Sequence, residues 1–188
     1  MVLDPLRLFL LLGLVLHKGV WEFLKRRQRT PRPSSTPSVV LIKLAKIAIL
    51  AGLCVQTVLP EVLPILSEPM TLRLAGALIY AAGLAVAITA RLQLGRQWSD
   101  IECSSVAADH KIIEYGVYRF IRHPIYTGDV LLIAGLELAL NSWLVLAVIP
   151  LALAVFVKAK SEEEELAQQL SGYPEYQSRT KRFLPFLI

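Results

Sequence analysis

Two polar stretches of this 188-residue chain carry the side chains most capable of chemistry. The first, residues 109–128, reads Asp-His-Lys-Ile-Ile-Glu-Tyr-Gly-Val-Tyr-Arg-Phe-Ile-Arg-His-Pro-Ile-Tyr-Thr-Gly. The second, 158–166, reads Lys-Ala-Lys-Ser-Glu-Glu-Glu-Glu-Leu, with Tyr173, Tyr176 and a basic end beyond it. Pro124 directly after His123 predicts a helix start, because proline at the first helical position gives up an N–H that has no partner there. Tyr126 at the head of such a helix suits a membrane interface. The first-turn amides form a donor-rich end suited to a carboxylate or another anion.

In the second stretch, consecutive glutamates lie 100° apart around a helix, so four in a row cannot share one partner. Lys160 and Glu164, at i and i+4, share a face. Turned toward His123, that face lets Glu164 neutralise a cation and Lys160 hold an anion, which leaves the other glutamates as solvated residues. No acid–base pair stands out, so no catalytic side chain is assigned. His17, His110 and His123 are too scattered for a metal centre, and Cys54 and Cys103 suggest neither a disulfide framework nor a zinc site.

The elements that must position these residues are membrane spans. Hydrophobic residues make up 55% of the chain and the mean hydropathy is +0.54, above the roughly 45–50% apolar content of soluble domains. Long, predominantly apolar runs at 6–24, interrupted by Arg7 and the His17-Lys18 pair, 39–59 and 72–94 each approach the ~20 residues of a transmembrane helix. The run 126–160 is too long for one span. Asn141-Ser142 breaks it into a helical hairpin with a short first arm, and Pro150 is expected to kink the second arm. The fold class is therefore all-α, a polytopic integral membrane protein of about five transmembrane helices. Residues 1–94 form three N-terminal spans and 95–188 a catalytic region with a loop, the hairpin and a C-terminal segment. An antiparallel hairpin sets the two polar stretches side by side.

Loop charges predict the orientation. Lys25, Arg26, Arg27, Arg29 and Arg32 follow the first run; the loop 60–71 has Glu61 and Glu68 and no basic residue; later loops and the tail are basic again. The positive-inside rule then puts the N-terminus outside, and the C-terminus and both polar stretches in the cytosol. No cleavable signal peptide is expected. The net charge of +5 follows from this bias and suits anionic headgroups rather than nucleic acid. Within the hairpin, Asp129 is the better functional candidate. Glu137, four residues from the turn, is expected to snorkel to the outer surface, and His17 to be an interfacial or packing residue.

The ordered set His110-Lys-Ile-Ile-Glu-Tyr-Gly-Val-Tyr118, Arg122-His-Pro-Ile-Tyr-Thr-Gly128, the glutamate run, the tyrosines and Leu184-Pro-Phe-Leu187 resembles the isoprenylcysteine carboxyl methyltransferase family in a prokaryote-like short form. The resemblance spans about the C-terminal half of the chain. It implies an S-adenosyl-L-methionine-dependent membrane methyltransferase, O-methylation favoured, in a prokaryotic inner membrane. Carried over by position, the cofactor site is His110, Lys111, Ile112, Ile113, Tyr118, His123, Pro124, Ile125, Tyr126 and Glu164, with Lys160 toward the substrate. The acceptor it implies is a lipophilic or lipidated molecule from the bilayer, an isoprenylcysteine-like carboxylate first. Lys160 stands where the family typically has arginine, whose planar fork grips a carboxylate at two points. Three alternatives stand beside this reading: a phospholipid N-methyltransferase, an NADPH-dependent sterol-type reductase with a similar His-Pro-x-Tyr then Gly-Asp, and a non-catalytic membrane scaffold.

Overall fold

The structure, a computed structural model, describes residues 4–28, 36–59, 61–98 and 111–185. His110 and Cys103 lie outside them. Among the described residues the chain forms α1 (Pro5–Gln28), α2 (Pro37–Val58), α3 (Met70–Leu94), α4 (Pro124–Ala139), α5 (Val148–Gln169) and α6 (Tyr173–Arg179), linked by turns and short 3-10 segments. No strand occurs among these residues; the only pairing of that kind is two isolated bridges, Pro64 with Ser142 and Ile121 with Lys181.

Three segments, Val39–Val58, Met70–Gln97 and Trp143–Gln169, are long and apolar enough to cross a membrane. α1 accompanies them but carries Arg7, Lys18 and Glu22. α4 has 16 residues, about 24 Å at the helical rise, and is the short hairpin arm the sequence predicted. Outward-facing Leu41, Ile47, Leu78, Leu153 and Val157 give the bundle an apolar exterior, as a lipid solvent requires. The chain is a multi-pass integral membrane protein.

α3 and α4 form the spine. A Cβ built on Gly83 would stand 2.4 Å from the backbone nitrogen of Leu132, and one on Gly135 2.2 Å from that of Tyr80. Gly76 meets Ala139 and Gly128 meets Ala87 in the same way. The glycines recur every seven residues on both helices, so the two backbones touch along their length, the close approach that small residues permit between membrane helices. α1 leans on this spine through Tyr80, whose hydroxyl donates to the carbonyl of Leu10 at 2.6 Å. Leu10, Leu14, Leu53, Leu132 and Leu136 fill the space around it.

The hairpin turns where expected. Asn141 takes the left-handed region at φ 58°, a conformation asparagine tolerates better than most residues. Its side chain accepts from Leu66 N at 3.0 Å and donates to Leu66 O at 2.8 Å, clamping the loop before α3 to the turn. Two expectations fail at this end. Glu137 does not snorkel: it is 3% exposed and accepts a hydrogen bond from Gln56 of α2 at 2.8 Å, because an acid facing neighbouring helices gains a partner that lipid cannot supply. Pro150 does not kink a helix interior. A 3-10 turn, Trp143–Ala147, occupies the start of the arm and α5 begins at Val148, so Pro150 falls in the first turn, where its missing N–H breaks no bond.

Gly83→Ala should lower stability by about 1–3 kcal/mol, the usual cost of overpacking, because backbone must move. Gly52→Ala, with nothing within 4 Å of its added carbon, should be neutral or stabilising by up to about 1 kcal/mol. Thermal unfolding of both variants in one detergent checks the pair.

Candidate active site

The polar end of the bundle is assembled around one carboxylate. Glu163 on α5 is 2% exposed. It receives Arg122 Nε at 2.8 Å, Arg182 Nη2 at 2.7 Å and Gln177 Nε2 at 3.1 Å, and meets His123 Nε2 at 3.1 Å. Four segments therefore converge on a single side chain: the entrance to α4, α5, α6 and the chain after it. Arg122 also reaches the carbonyl of Gln177 at 3.1 Å and that of Thr180. The backbone follows the same path, since Arg122 N donates to Lys181 O at 2.8 Å and His123 N to Arg182 O at 3.0 Å. Thr127 adds a hydroxyl bond to Phe183 O at 3.0 Å. Donating to the Glu163 carboxylate raises the Arg182 guanidinium above its ordinary value, so Arg182 stays charged.

Beside this hub lies the His-Pro-Ile-Tyr turn. The rings of His123 and Tyr126 stack at 5.4 Å and 8°, and the Tyr126 hydroxyl donates to Glu162 Oε2 at 2.9 Å. Below them Ala90, Tyr118 and Ile125 form a buried apolar shelf edged by Trp21, Leu94, Trp98, Ile113 and Val117. Gln93 of α3 and Gln97 of the 3-10 turn after it fasten the approach to this shelf. Gln97 Oε1 accepts from Lys111 N at 3.0 Å and Gln93 Oε1 from Val117 N at 2.9 Å. Gly116, at φ 62°, permits the tight turn against the Gln93 side chain. Arg91, fully buried, lies with its guanidinium 4.2 Å from the centre of the Trp98 ring. Tyr176 closes the far side by donating to Tyr118 O at 2.8 Å. Burial pushes the Tyr176 hydroxyl up to about 12 and raises Tyr118 further, so both remain neutral donors at physiological pH.

Of the residues singled out in the sequence, Ile113, Tyr118, His123, Pro124, Ile125 and Tyr126 come together here. Ile112 lies near the α5–α6 turn, 3.5 Å from where a Cβ on Gly172 would stand. Lys111 is exposed beyond its backbone bond, and Lys160 and Glu164 are exposed on α5. The picture of the remaining glutamates as solvated is corrected. α5 turns Ala159 and Glu163 inward, with Glu162 beside them on Tyr126, so helical phase selects the glutamates next to Glu164. Ala159, four residues before Glu163, is the one apolar residue in 158–165 and was the available signal. Gln177 and Arg182 carried no signal beyond being polar, and Arg122 only its place in the motif before His123. His17 and Asp129 prove to be partners, 2.9 Å apart across α1 and α4.

Fold and site together define a polytopic membrane protein whose one polar end is built by a helical hairpin and the chain's C-terminal segment. A family model described as phospholipid methyltransferase matches residues 71–172, more than half of the chain, and the chain belongs to that family. Its relatives include the cobalt-zinc-cadmium resistance protein CzcN of Cupriavidus metallidurans, 33% identical over 96 residues that cover 50% of this chain and 44% of that protein. A probable protein-S-isoprenylcysteine O-methyltransferase of Oryza sativa subsp. indica is 29% identical over 127 residues, 66% of each chain. Protein-S-isoprenylcysteine O-methyltransferase of Schizosaccharomyces pombe is 26% identical over 103 residues, 53% of this chain and 43% of that one. The chain thus spans from about two-fifths to two-thirds of the length of these relatives. Among solved structures, the eukaryotic intramembrane Ras methyltransferase, isoprenylcysteine carboxyl methyltransferase, superposes with a TM-score of 0.57 at 19% identity, over 82% of this chain and 54% of that chain. The two share a fold, and the resemblance read from the motifs is borne out.

Glu163→Gln should cost about 3–5 kcal/mol, because it strands two guanidiniums that had a common anion. It should also speed tryptic cleavage after Arg179, Lys181 and Arg182. Glu164→Gln should change neither unfolding temperature nor cleavage rate; equal behaviour of the two variants would contradict the hub.

Proposed function

We propose that this protein transfers a methyl group from S-adenosyl-L-methionine to an oxygen of a lipophilic acceptor at the cytosolic membrane surface. The observation that carries this reading is the joining of His123, Tyr126 and two inward glutamates to the Tyr118 shelf at the end of the hairpin. A zwitterionic, aromatic donor molecule needs such a mixture. The apolar shelf suits its adenine, while Glu162 and the Tyr126 hydroxyl suit its ammonium or ribose. His110, Lys111, Ile112 and Glu164 would complete the set, and Lys160 would approach the acceptor from the exposed side of α5. When bound, the cofactor supplies an electrophilic sulfonium methyl.

The chain's own contribution is position and dryness. The glycine-packed α3–α4 spine and the Glu163 hub fix the shelf, so the reacting atoms meet in a defined geometry. The bundle and the C-terminal segment exclude water. An isoprenylcysteine-like carboxylate is the first acceptor to test, from the names of the relatives. It is already ionised, and its approach from the bilayer meets a water-borne donor at the interface. The charge pattern of the loops supports an outer N-terminus and a cytosolic site, and the short-form resemblance suggests a prokaryotic inner membrane.

Purified protein in detergent should bind S-adenosylhomocysteine with micromolar affinity and move labelled methyl from the donor to a prenylated cysteine carboxylate. Tyr126→Ala should weaken that binding by tenfold or more. Thermal stabilisation by NADPH and none by S-adenosylhomocysteine would favour the reductase; stabilisation by neither would favour the scaffold.

A further inference from the structure

The His17–Asp129 pair is used by nothing described so far. Asp129 Oδ1 lies 2.9 Å from His17 Nε2. A carboxylate can only accept, so the pair fixes the imidazole with its proton on Nε2 and its lone pair on Nδ1. His17 also stacks on Trp21 at 4.0 Å and 23°, and Trp21 packs on the shelf of Ala90, Tyr118 and Ile125. Asp129 stands three residues after Tyr126, one turn deeper on the same face of α4. The pair thus flanks the candidate site on its α1 side. The two side chains are 23% and 38% exposed, and α1 around them presents Leu12, Val15 and Leu16 outward. An oriented imidazole backed by a carboxylate and open to the lipid side of a methyl-transfer site has the composition of a general base.

We propose that His17, positioned by Asp129, is the proton acceptor for a hydroxyl-bearing membrane amphiphile, a prenylated phenol in the first instance. This rests on the methyl-transfer reading above and extends its acceptors beyond carboxylates, which need no base. The hydroxyl oxygen forms the new C–O bond as the donor's C–S bond breaks, the bonding pair leaves on sulfur, and the hydroxyl proton passes to His17 Nδ1. Asp129 stabilises the imidazolium. A phenol, with an ordinary pKa of about 10 against over 15 for water, is within reach of an imidazole.

The charged groups around the pair are Lys18 and Glu22 of α1, bonded to each other at 2.7 Å, Arg91 of α3 over Trp98, and Glu162 of α5 through Tyr126. The test compares labelled methyl transfer to a prenylated phenol and to a prenylated cysteine carboxylate in the same micelles. His17→Gln and Asp129→Asn should lower the phenol-to-carboxylate rate ratio, the first by about 100-fold or more. Nitrogen-15 NMR of labelled histidine should show the His17 proton on Nε2 in the wild type. An unchanged ratio, no transfer to the phenol by the wild type, or a proton on Nδ1 would overturn the assignment. Failure of the wild type to bind S-adenosylhomocysteine would instead overturn the methyl-transfer reading beneath it.

Discussion

A buried carboxylate that must be satisfied organises the polar end of this protein. Glu163 is removed from water, and an ionised carboxylate there is tolerable only with charged or strongly donating partners. Arg122, Arg182, His123 and Gln177 supply them. Each belongs to a segment that would otherwise be free to move, so satisfying one charge also fixes the head of α4, the short helix α6 and the residues after it. The same bonds set His123 against Tyr126 and close Tyr176 over Tyr118. The shelf and its polar rim are thus consequences of the ion network.

The spine meets a different demand. Lipid tails give apolar helices little reason to associate, so helix contact in a membrane depends on close packing and internal hydrogen bonds. α3 and α4 achieve it with Gly76, Gly83, Gly128 and Gly135, and Tyr80 adds α1 through one hydroxyl bond. At the opposite end, Asn141 and the Gln56–Glu137 pair clamp the hairpin turn to neighbouring elements. Both ends of α4 are therefore held by polar side chains and its middle by bare backbone, a rigid support for the residues at its head.

Much of this was legible in the sequence. Hydropathy located α2 and α3 to within a few residues, Pro124 marked the start of α4, and Asn141-Ser142 marked the turn. The motif set identified the family and gathered Tyr118, His123 and Tyr126. What the sequence hid was phase and long-range partnership. In a run of four glutamates every position looks alike until the neighbouring helix is in place, and one residue of rotation, 100°, separates the buried Glu163 from the exposed Glu164. Glu137 looked destined for the surface because its partner Gln56 lies 81 residues away. Pro150 looked like a kink because the 3-10 turn that moves the helix start could not be read from apolar residues. The glycines at seven-residue spacing on both α3 and α4 were readable and point directly to the spine.

The account's central claim is that the methyl donor binds at the Glu163 end of the bundle, on the shelf made by α3, the head of α4 and α6. Hydrogen exchange with and without S-adenosylhomocysteine tests it most directly. Protection should appear in 111–126 and in 162–177, with 61–69 and 137–147 at the opposite end unchanged. Protection confined to that opposite end, or none in 111–126, would contradict it.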